Sequence, residues 1–395
     1  MLLGFRVLPW EYGVRNLFRR PLRSALTLAA LALVALLIFV VVGFIRGLET
    51  TLSVSGEPGV VIVHSRGTAE NIESSSVAAS TPALLTASLT SIARRAGPGG
   101  AQIAYASPEI YLGTQVKVGD ETSPSLGLVR GVTPAVLLVR GKAQILSGHW
   151  PGTGEVLVGR LAATKLGHSA EALMEGKTIS FEGRKWKVCG AFAVPGSSLE
   201  SELWCPADDL QQAMRRQDLS FVAVKLAPGA SIGDIDEFCK DQIKLELQAT
   251  PETAYYESLR KHYRPVRLLA WLVVGLVSGA GVFVGLNTMY GAAAGRVREM
   301  ATLQAIGFSR RSIALSLIQE GTLLAAAGAL LAAIIAVFLL NGAAVRFTMG
   351  AFAMRIDGPA VAIGCGIGLL LGAFGSMPPA VRAMRQEVAE GLKSF

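Results

Sequence analysis

Hydrophobicity along the chain is gathered into four long runs, Ser24–Ile45, Leu268–Tyr290, Ile313–Val345 and Pro359–Met377, separated by stretches where polar and apolar residues mix. A helix needs roughly 20 apolar residues to cross the hydrocarbon of a bilayer. Each run meets that length, so the pattern predicts four transmembrane helices. The third is longer than required, which predicts tilt or extension beyond the hydrocarbon. Within the runs, small residues recur at four-residue spacing, as Gly275/Gly279, Gly281/Gly285 and Gly364/Gly368/Gly372. Such spacing lets helix backbones approach closely; the plainer reading is that glycine is common in membrane helices.

Between the first and second runs the pattern changes to short alternating segments. Gly59–His64 is β-rich, Ser74–Ser80 is a Ser/Ala-rich loop, and Pro82–Ala96 reads as a helix closed by Gly97-Pro98-Gly99-Gly100. Ile103–Val118 and Ser125–Val132 read as strands. Glu155–Val158 reads as a short strand before a helical Arg160–Leu166. Thr178–Phe181 and Lys185–Val194 are joined by Glu182-Gly183, a hairpin signal. Ala207–Arg216 is helical, Phe221–Leu226 a strand and Ser231–Leu247 an amphipathic helix. Mixed strands and helices with short connections predict an α+β domain.

Composition agrees: 51% of residues are hydrophobic and 17% charged, where an ordinary soluble domain is about a quarter charged. Lys+Arg 37 against Asp+Glu 29 gives a net charge of +8. The sign alone would allow a nucleic-acid partner, but the distribution argues for membrane orientation instead. Arg6, Arg15, Arg19, Arg20 and Arg23 precede the first run, Arg296, Arg298, Arg310 and Arg311 lie between the second and third, and Arg382, Arg385 and Lys393 follow the fourth. Basic residues in alternate loops follow the positive-inside rule. They predict cytoplasmic termini, a cytoplasmic 291–312 loop and an extracytoplasmic α+β domain. The first run exceeds the 7–15 apolar residues of a leader and lacks a small-x-small cleavage site, so it reads as an uncleaved anchor. Phe5–Arg20, with Leu8, Tyr12 and Leu17 among arginines, reads either as an interfacial helix or as a plain basic flank.

Candidate chemistry is sparse. Cys189, Cys205 and Cys239 fall in the outer domain and Cys365 in the last run. Cys189 and Cys205 sit near the ends of consecutive elements, where a disulfide or free thiols are both open. The spacing of His64, His149, His168 and His262 gives no metal motif, and no GxxxxGK[ST] is present to cradle a nucleotide. Ser197-Ser198 and Asp208-Asp209 read as loop and cap residues. Neither a catalytic set nor a bound cofactor is expected in this chain. Glu320, inside the third run, is a functional candidate by its setting, though pairing with Arg296 or Arg311 is the simpler role.

One segment stands apart. From Gly295 the chain reads GRVREMATLQAIGFSRRSI. Met300, Leu303 and Ile306 repeat every three residues, predicting a short helix with an apolar stripe. Gly307 supplies a stop, and Ser309 can cap a following helix whose first turn holds Arg310 and Arg311. The stripe could rest on lipid headgroups. Charges at both ends and the small Ala301, Ala305 and Gly307 favour a protein partner.

VREMATLQAIGFSRRSI resembles the "REIGLLRALGASRRQI" signature of MacB/FtsX-type ABC transporter permeases, the type VII ABC superfamily. Asn16-Leu17-Phe18-Arg19-Arg20-Pro21-Leu22-Arg23 resembles the "NLxRRxxR" that leads into their first span. Leu146–Trp150 and Gly154–Gly159 resemble "LxxGRxF…GEVVVG", Leu161–Gly167 the "ALAxxLG" helix, and Lys185–Phe192 the "FxVVGVF" strand. Trp204-Cys205-Pro206 with Leu210 resembles "vwvPLxxL", and Pro379–Ala383 the closing "PAxRAA". The tail Glu387–Leu392 lacks the usual proline of "xPxEAL", and Met300 and Gln304 replace commoner Ile and Arg.

The resemblance implies four membrane helices, with a large α+β extracytoplasmic MacB-like core domain, in one lobe or two, inserted between helices 1 and 2. The expected division is 1–23 cytoplasmic amphipathic segment, 24–46 helix 1, 47–265 outer domain, 266–290 helix 2, 291–312 coupling loop, 313–345 helix 3, 346–358 outer loop, 359–378 helix 4 and 379–395 cytoplasmic tail. It further implies a multi-pass protein of the bacterial inner membrane, a second permease copy, and two copies of a separate cytoplasmic ATPase that binds ATP and Mg. A periplasmic adaptor or outer-membrane protein is a further candidate partner, beside membrane lipids. Arg298, Glu299, Met300, Leu303, Ala305, Ile306, Gly307, Arg310 and Arg311 would form the ATPase-docking segment. Hydrolysis would then move the outer domain to export or extract a lipid, lipoprotein, peptide or drug. The alternatives are a membrane-anchored scaffold or sensor, FtsX-like in controlling a wall hydrolase without transport, and a secondary transporter, which four spans with so little intramembrane charge do not favour.

Overall fold

The computed structural model describes residues 17–19, 21–97, 100–119, 123–347 and 350–385. Most of Phe5–Arg20 and the tail Glu387–Leu392 lie outside the described residues. The chain divides into two units, one of Met1–Arg46, Pro265–Ala343 and Met354–Phe395, the other of Gly47–Arg264 and Ala344–Ala353.

The first unit is helical. Its long elements are α1 (Pro21–Ser55, which ends in the second unit), α2 (Arg264–Ala294), the short α3 (Val297–Ala305), α4 (Arg310–Ile335) and α5 (Gly358–Arg385). With the π-turn Ala336–Leu340 that extends α4, the four long helices are long and apolar enough to cross a membrane. The apolar run expected as far as Val345 therefore ends early as helix. Asn341-Gly342 breaks it, with Gly342 at φ +81, and Ala344–Phe347 pairs with Gly350–Ala353 as a β-ribbon in the second unit.

Glycine packing divides sharply. A Cβ on Gly372 would lie 2.5 Å from the Ala325 Cβ, and one on Gly368 2.6 Å from the Ala329 Cβ. A Cβ on Gly364 would strike the Phe39 ring, and one on Gly281 would come within 2.8 Å of Val34. Gly285 meets Gly375 backbone to backbone. These five glycines are small because another helix occupies the space. Gly275 and Gly279 are different: nothing lies within 4 Å of a Cβ built on either. Among the described residues no helix packs against them, because α2 buries the face bearing Val274, Gly281, Gly285 and Met289.

The second unit is α+β. Its sheet strands are β1 (Val60–Ser65), β2 (Ala106–Val118), β3 (Ser125–Val132), β4 (Gln144–Gly148), β5 (Glu155–Gly159), β6 (Thr178–Phe181), β7 (Arg184–Ala193), β8 (Glu202–Pro206), β9 (Phe221–Lys225) and β10 (Leu247–Pro251). They run in the order β10-β1-β9-β2-β3-β8-β5-β7-β4, with β6 pairing β2 and β7. The Val-Val-Ile-Val of β1 and Phe-Val-Ala-Val of β9 are buried on both faces, which is why they read as continuous apolar runs rather than alternations. Val61, Val63, Val222 and Val224 face one core; Val60, Ile62, Phe221 and Ala223 face another. The β6–β7 hairpin turns at Glu182-Gly183, both at positive φ, the conformation a two-residue type I′ turn requires.

Two expected helices are shorter than the sequence suggested. The helix expected to Ala96 stops at Ser88. Ile92 then bridges Leu226, and Arg94–Ala96 pairs with Gln102–Ala104; sheet pairing of a β-branched residue wins over weak helical preference. The helix expected over Ser231–Leu247 covers Gly233–Asp241. Glu246 turns the chain at φ +47, and Leu247 opens β10, which covers the otherwise bare edge of β1.

The Cys189–Cys205 disulfide considered above is not formed; both are free and buried. Cys189 is on β7 and Cys205 on β8, with β5 between them. Two interstrand spacings of about 4.8 Å exceed the roughly 7 Å limit between bridged Cα atoms. Their side chains also belong to different cores.

Candidate coupling site

α3 is held at both ends. At its start Arg296 donates two hydrogen bonds to Glu320 of α4, Nη1 to Oε2 at 2.9 Å and Nη2 to Oε1 at 2.6 Å. A planar guanidinium matched to both carboxylate oxygens fixes direction as well as distance. Of the two arginines proposed as partners for Glu320, it is Arg296 that makes this fork. At the other end the Gly307 N–H donates to the Gln304 carbonyl and the Phe308 N–H to the Leu303 carbonyl. Gly307 takes φ +103, completing the pair of reversed bonds that ends a helix at a left-handed glycine. Ser309 then caps α4 by accepting from the Ser312 N–H at 3.1 Å.

This two-ended clamp decides which face of α3 looks outward. Met300 and Ala301 are buried, while Val297, Leu303 and Phe308 pack partly against Ile313, Ala314 and Leu317 of α4 and Ala380 and Ala383 of α5. The opposite face carries Arg298, Glu299, Thr302, Ala305 and Ile306, all exposed, and continues through Gly307 to Arg310 and Arg311. Ile306 is 64% exposed. The expected Met300/Leu303/Ile306 stripe is thus split. Met300 is buried and Leu303 is half-buried against the same cluster, whereas Ile306 stands outside. A three-residue repeat in so short a helix does not say which of its members face in.

Among the described residues the exposed charges make few contacts. Glu299 approaches Arg19 only to 3.9 Å, with both side chains about half exposed or more; such a pair contributes little. Arg310 and Arg311 occupy the first turn of α4, which has no acidic residue. Cations there oppose the helix dipole, at roughly 0.3–1 kcal/mol each. Local stability does not account for them.

The second unit contains a charged cluster of the opposite kind, which the sequence did not reveal. Arg130 on β3 donates from Nη1 to Glu109 Oε2 at 2.6 Å, and from Nε and Nη2 to Glu202 at 2.7 and 2.6 Å. Arg140 bonds the other oxygen of Glu109 and reaches Glu252 Oε1 at 2.9 Å. Glu252 Oε2 accepts the Glu57 N–H at 3.0 Å, and Glu202 Oε2 accepts the Trp204 Nε1–H at 2.9 Å. Tyr111 lies under the Arg130 guanidinium, 4.8 Å from ring centroid to carbon. All five ionisable groups are buried. Burial pushes the Glu109 carboxyl up, but Arg140 and Arg130 outweigh it and hold it below its ordinary range. At Glu252 burial wins over Arg140 and the carboxyl is raised. Glu57 follows the end of α1, and Glu252 opens the Glu252–His262 helix that precedes α2. The network therefore ties together the residues near the two ends of the Gly47–Arg264 segment.

Two families match this chain in sequence. Residues 24–237 match the MacB-like periplasmic core domain, and residues 271–388 match the FtsX-like permease C-terminal region. No curated protein matches it. Among solved structures, the periplasmic region of MacB from Actinobacillus actinomycetemcomitans is similar at 11% identity and a TM-score of 0.38, covering 52% of this chain and 94% of that one. The extracellular domain of the noncanonic ABC-type transporter YknZ from Gram-positive bacteria is similar at 14% identity and a TM-score of 0.37, covering 48% and 99% respectively.

Proposed function

Because the chain belongs to the MacB/FtsX-type family of ABC transporter permeases, we propose that it is the membrane subunit through which a separate cytoplasmic ATPase moves an extracytoplasmic domain. In this reading α1, α2, α4 and α5 cross the bacterial inner membrane. Residues 47–265 lie outside, and both termini and the 291–312 loop lie in the cytoplasm, in keeping with the basic residues of alternate loops. Two copies of the chain work with two copies of the ATPase, which supplies the ATP and Mg sites. The cargo is a lipid, lipoprotein, peptide or drug, moved by mechanical transmission from the coupling loop to the outer domain.

The observation that carries this reading is the outward face of α3. It is held by the Arg296–Glu320 fork and the Gly307 stop, yet among the described residues its charges make only the loose Glu299–Arg19 pair and Ile306 is exposed. A rigid lever with an unoccupied polar face suits a partner that pushes. The test is the double variant Arg298→Glu with Glu299→Lys. Affinity-purified protein should reach the membrane fraction normally but lose the nucleotide-hydrolysing activity that co-purifies with the unaltered chain. Unchanged recovery of that activity would remove the docking assignment.

A further inference from the structure

Three residues that are unremarkable in sequence meet on the second unit. His149 follows β4, Glu155 begins β5 and Cys189 lies in β7, and these three strands are neighbours through β7. One ligand atom from each lies within 4.8 Å of the other two. His149 Nε2 is 2.9 Å from Glu155 Oε2.

The strand pairing explains how the thiol arrives there. Along β5 and β7, Val156 pairs with Val188 and Leu157 with Gly190, so Cys189 is the extra residue of a β-bulge. On the other side, β4 and β7 shift register between Ile145 and Ser147. A bulge re-aims a side chain that regular alternation would send elsewhere. The close backbone approach of Gly148 to Gly190, where neither could carry a Cβ, keeps the two irregularities together.

We propose that His149, Glu155 and Cys189 form a binding site for a divalent transition cation of zinc type. An imidazole nitrogen, a carboxylate oxygen and a thiolate sulfur are the three donor classes that zinc accepts. At zinc bond lengths of about 2.0–2.3 Å, tetrahedral ligands lie about 3.3–3.8 Å apart. The present separations close to that range by turning side chains, and His149, 61% exposed, is free to turn. Glu155 Oε2 accepts the Gly152 N–H at 3.0 Å and lies 2.9 Å from His149 Nε2, so its carboxylate already faces the site. The buried Cys189 thiol donates weakly to the His149 and Val156 carbonyls; on binding it loses its proton to solvent and the sulfur bonds the cation as thiolate. With three protein ligands, the fourth position faces outward on the His149 side and takes water or a donor from a bound molecule.

The test uses the full-length chain in detergent with its thiols kept reduced, titrated with Co²⁺ alone. The expected result is a sulfur-to-cobalt charge-transfer absorption that saturates at one equivalent and is abolished by excess Zn²⁺. Cys189→Ser should remove that absorption. His149→Ala, at an exposed position with no part in the core, should keep the fold and weaken cobalt binding at least about tenfold, since even outer-shell partners carry 10–100-fold effects. Absence of a thiolate band in the unaltered chain, or a band of equal affinity in both variants, would overturn the proposal.

Discussion

Two sets of charges in this protein are built on opposite terms. Around Arg130 and Arg140 every charged group is buried and bonded to a partner of opposite sign. On α3 and the start of α4, Arg298, Glu299, Arg310 and Arg311 are exposed and, among the described residues, almost unpartnered. A buried charge must be paired or it costs several kcal/mol, so the first set exists only as a complete network and holds the unit in one shape. An exposed charge costs little alone, so the second set is free to be spent on another molecule. The difference separates charges that the fold uses from charges that it leaves exposed.

The sharpest way to break this contrast is Glu109→Ala. It removes the carboxylate shared by both arginines and leaves two buried guanidiniums without their common partner. The expected loss is about 3–5 kcal/mol, read as a lower denaturant midpoint with an unchanged slope. A loss no larger than that of a surface substitution would mean that the network is more open to water than its burial indicates.

Helix packing offers an intermediate comparison inside one residue type. Gly372→Leu inserts a side chain where Ala325 already stands 2.5 Å away, and overpacking of this kind costs about 1–3 kcal/mol or more. Gly275→Leu meets open space and should leave thermal unfolding of the detergent-extracted protein within about 0.5 kcal/mol, the range of ordinary surface changes. Equal effects from the two would erase the distinction drawn between packed and open glycines.

The smallest effect on stability belongs to the exposed set. Arg298→Glu with Glu299→Lys should also stay within about 0.5 kcal/mol while losing the co-purifying ATPase activity. A large loss of stability would place these residues with the buried network instead.

Much of this was readable from the chain. The apolar runs correspond to the long helices because length and hydropathy are local properties, and Gly307 and Ser309 act as stop and cap because their backbone roles are local too. What failed depended on neighbours distant in sequence. Met300 and Ile306 share a repeat but face opposite ways, since α4 and α5 decide which side of α3 is covered. Gly275 and Gly372 carry the same spacing signal, yet only one has a helix against it. Glu109, Glu202 and Glu252 look like scattered surface acids until strand order brings Arg130 and Arg140 among them. Cys189 and Cys205 looked pairable because nothing in the sequence says that β5 lies between their strands.

The central claim is that the outer face of α3 is where an ATPase pushes. It is tested most directly by placing a photo-crosslinking amino acid at Ile306 in one version of the full-length chain and at Met300 in another. Ile306, on the outer face, should give an adduct with a P-loop ATPase, and Met300, buried against α4 and α5, should give none. No ATPase adduct from Ile306, or equal adducts from both positions, would contradict the account.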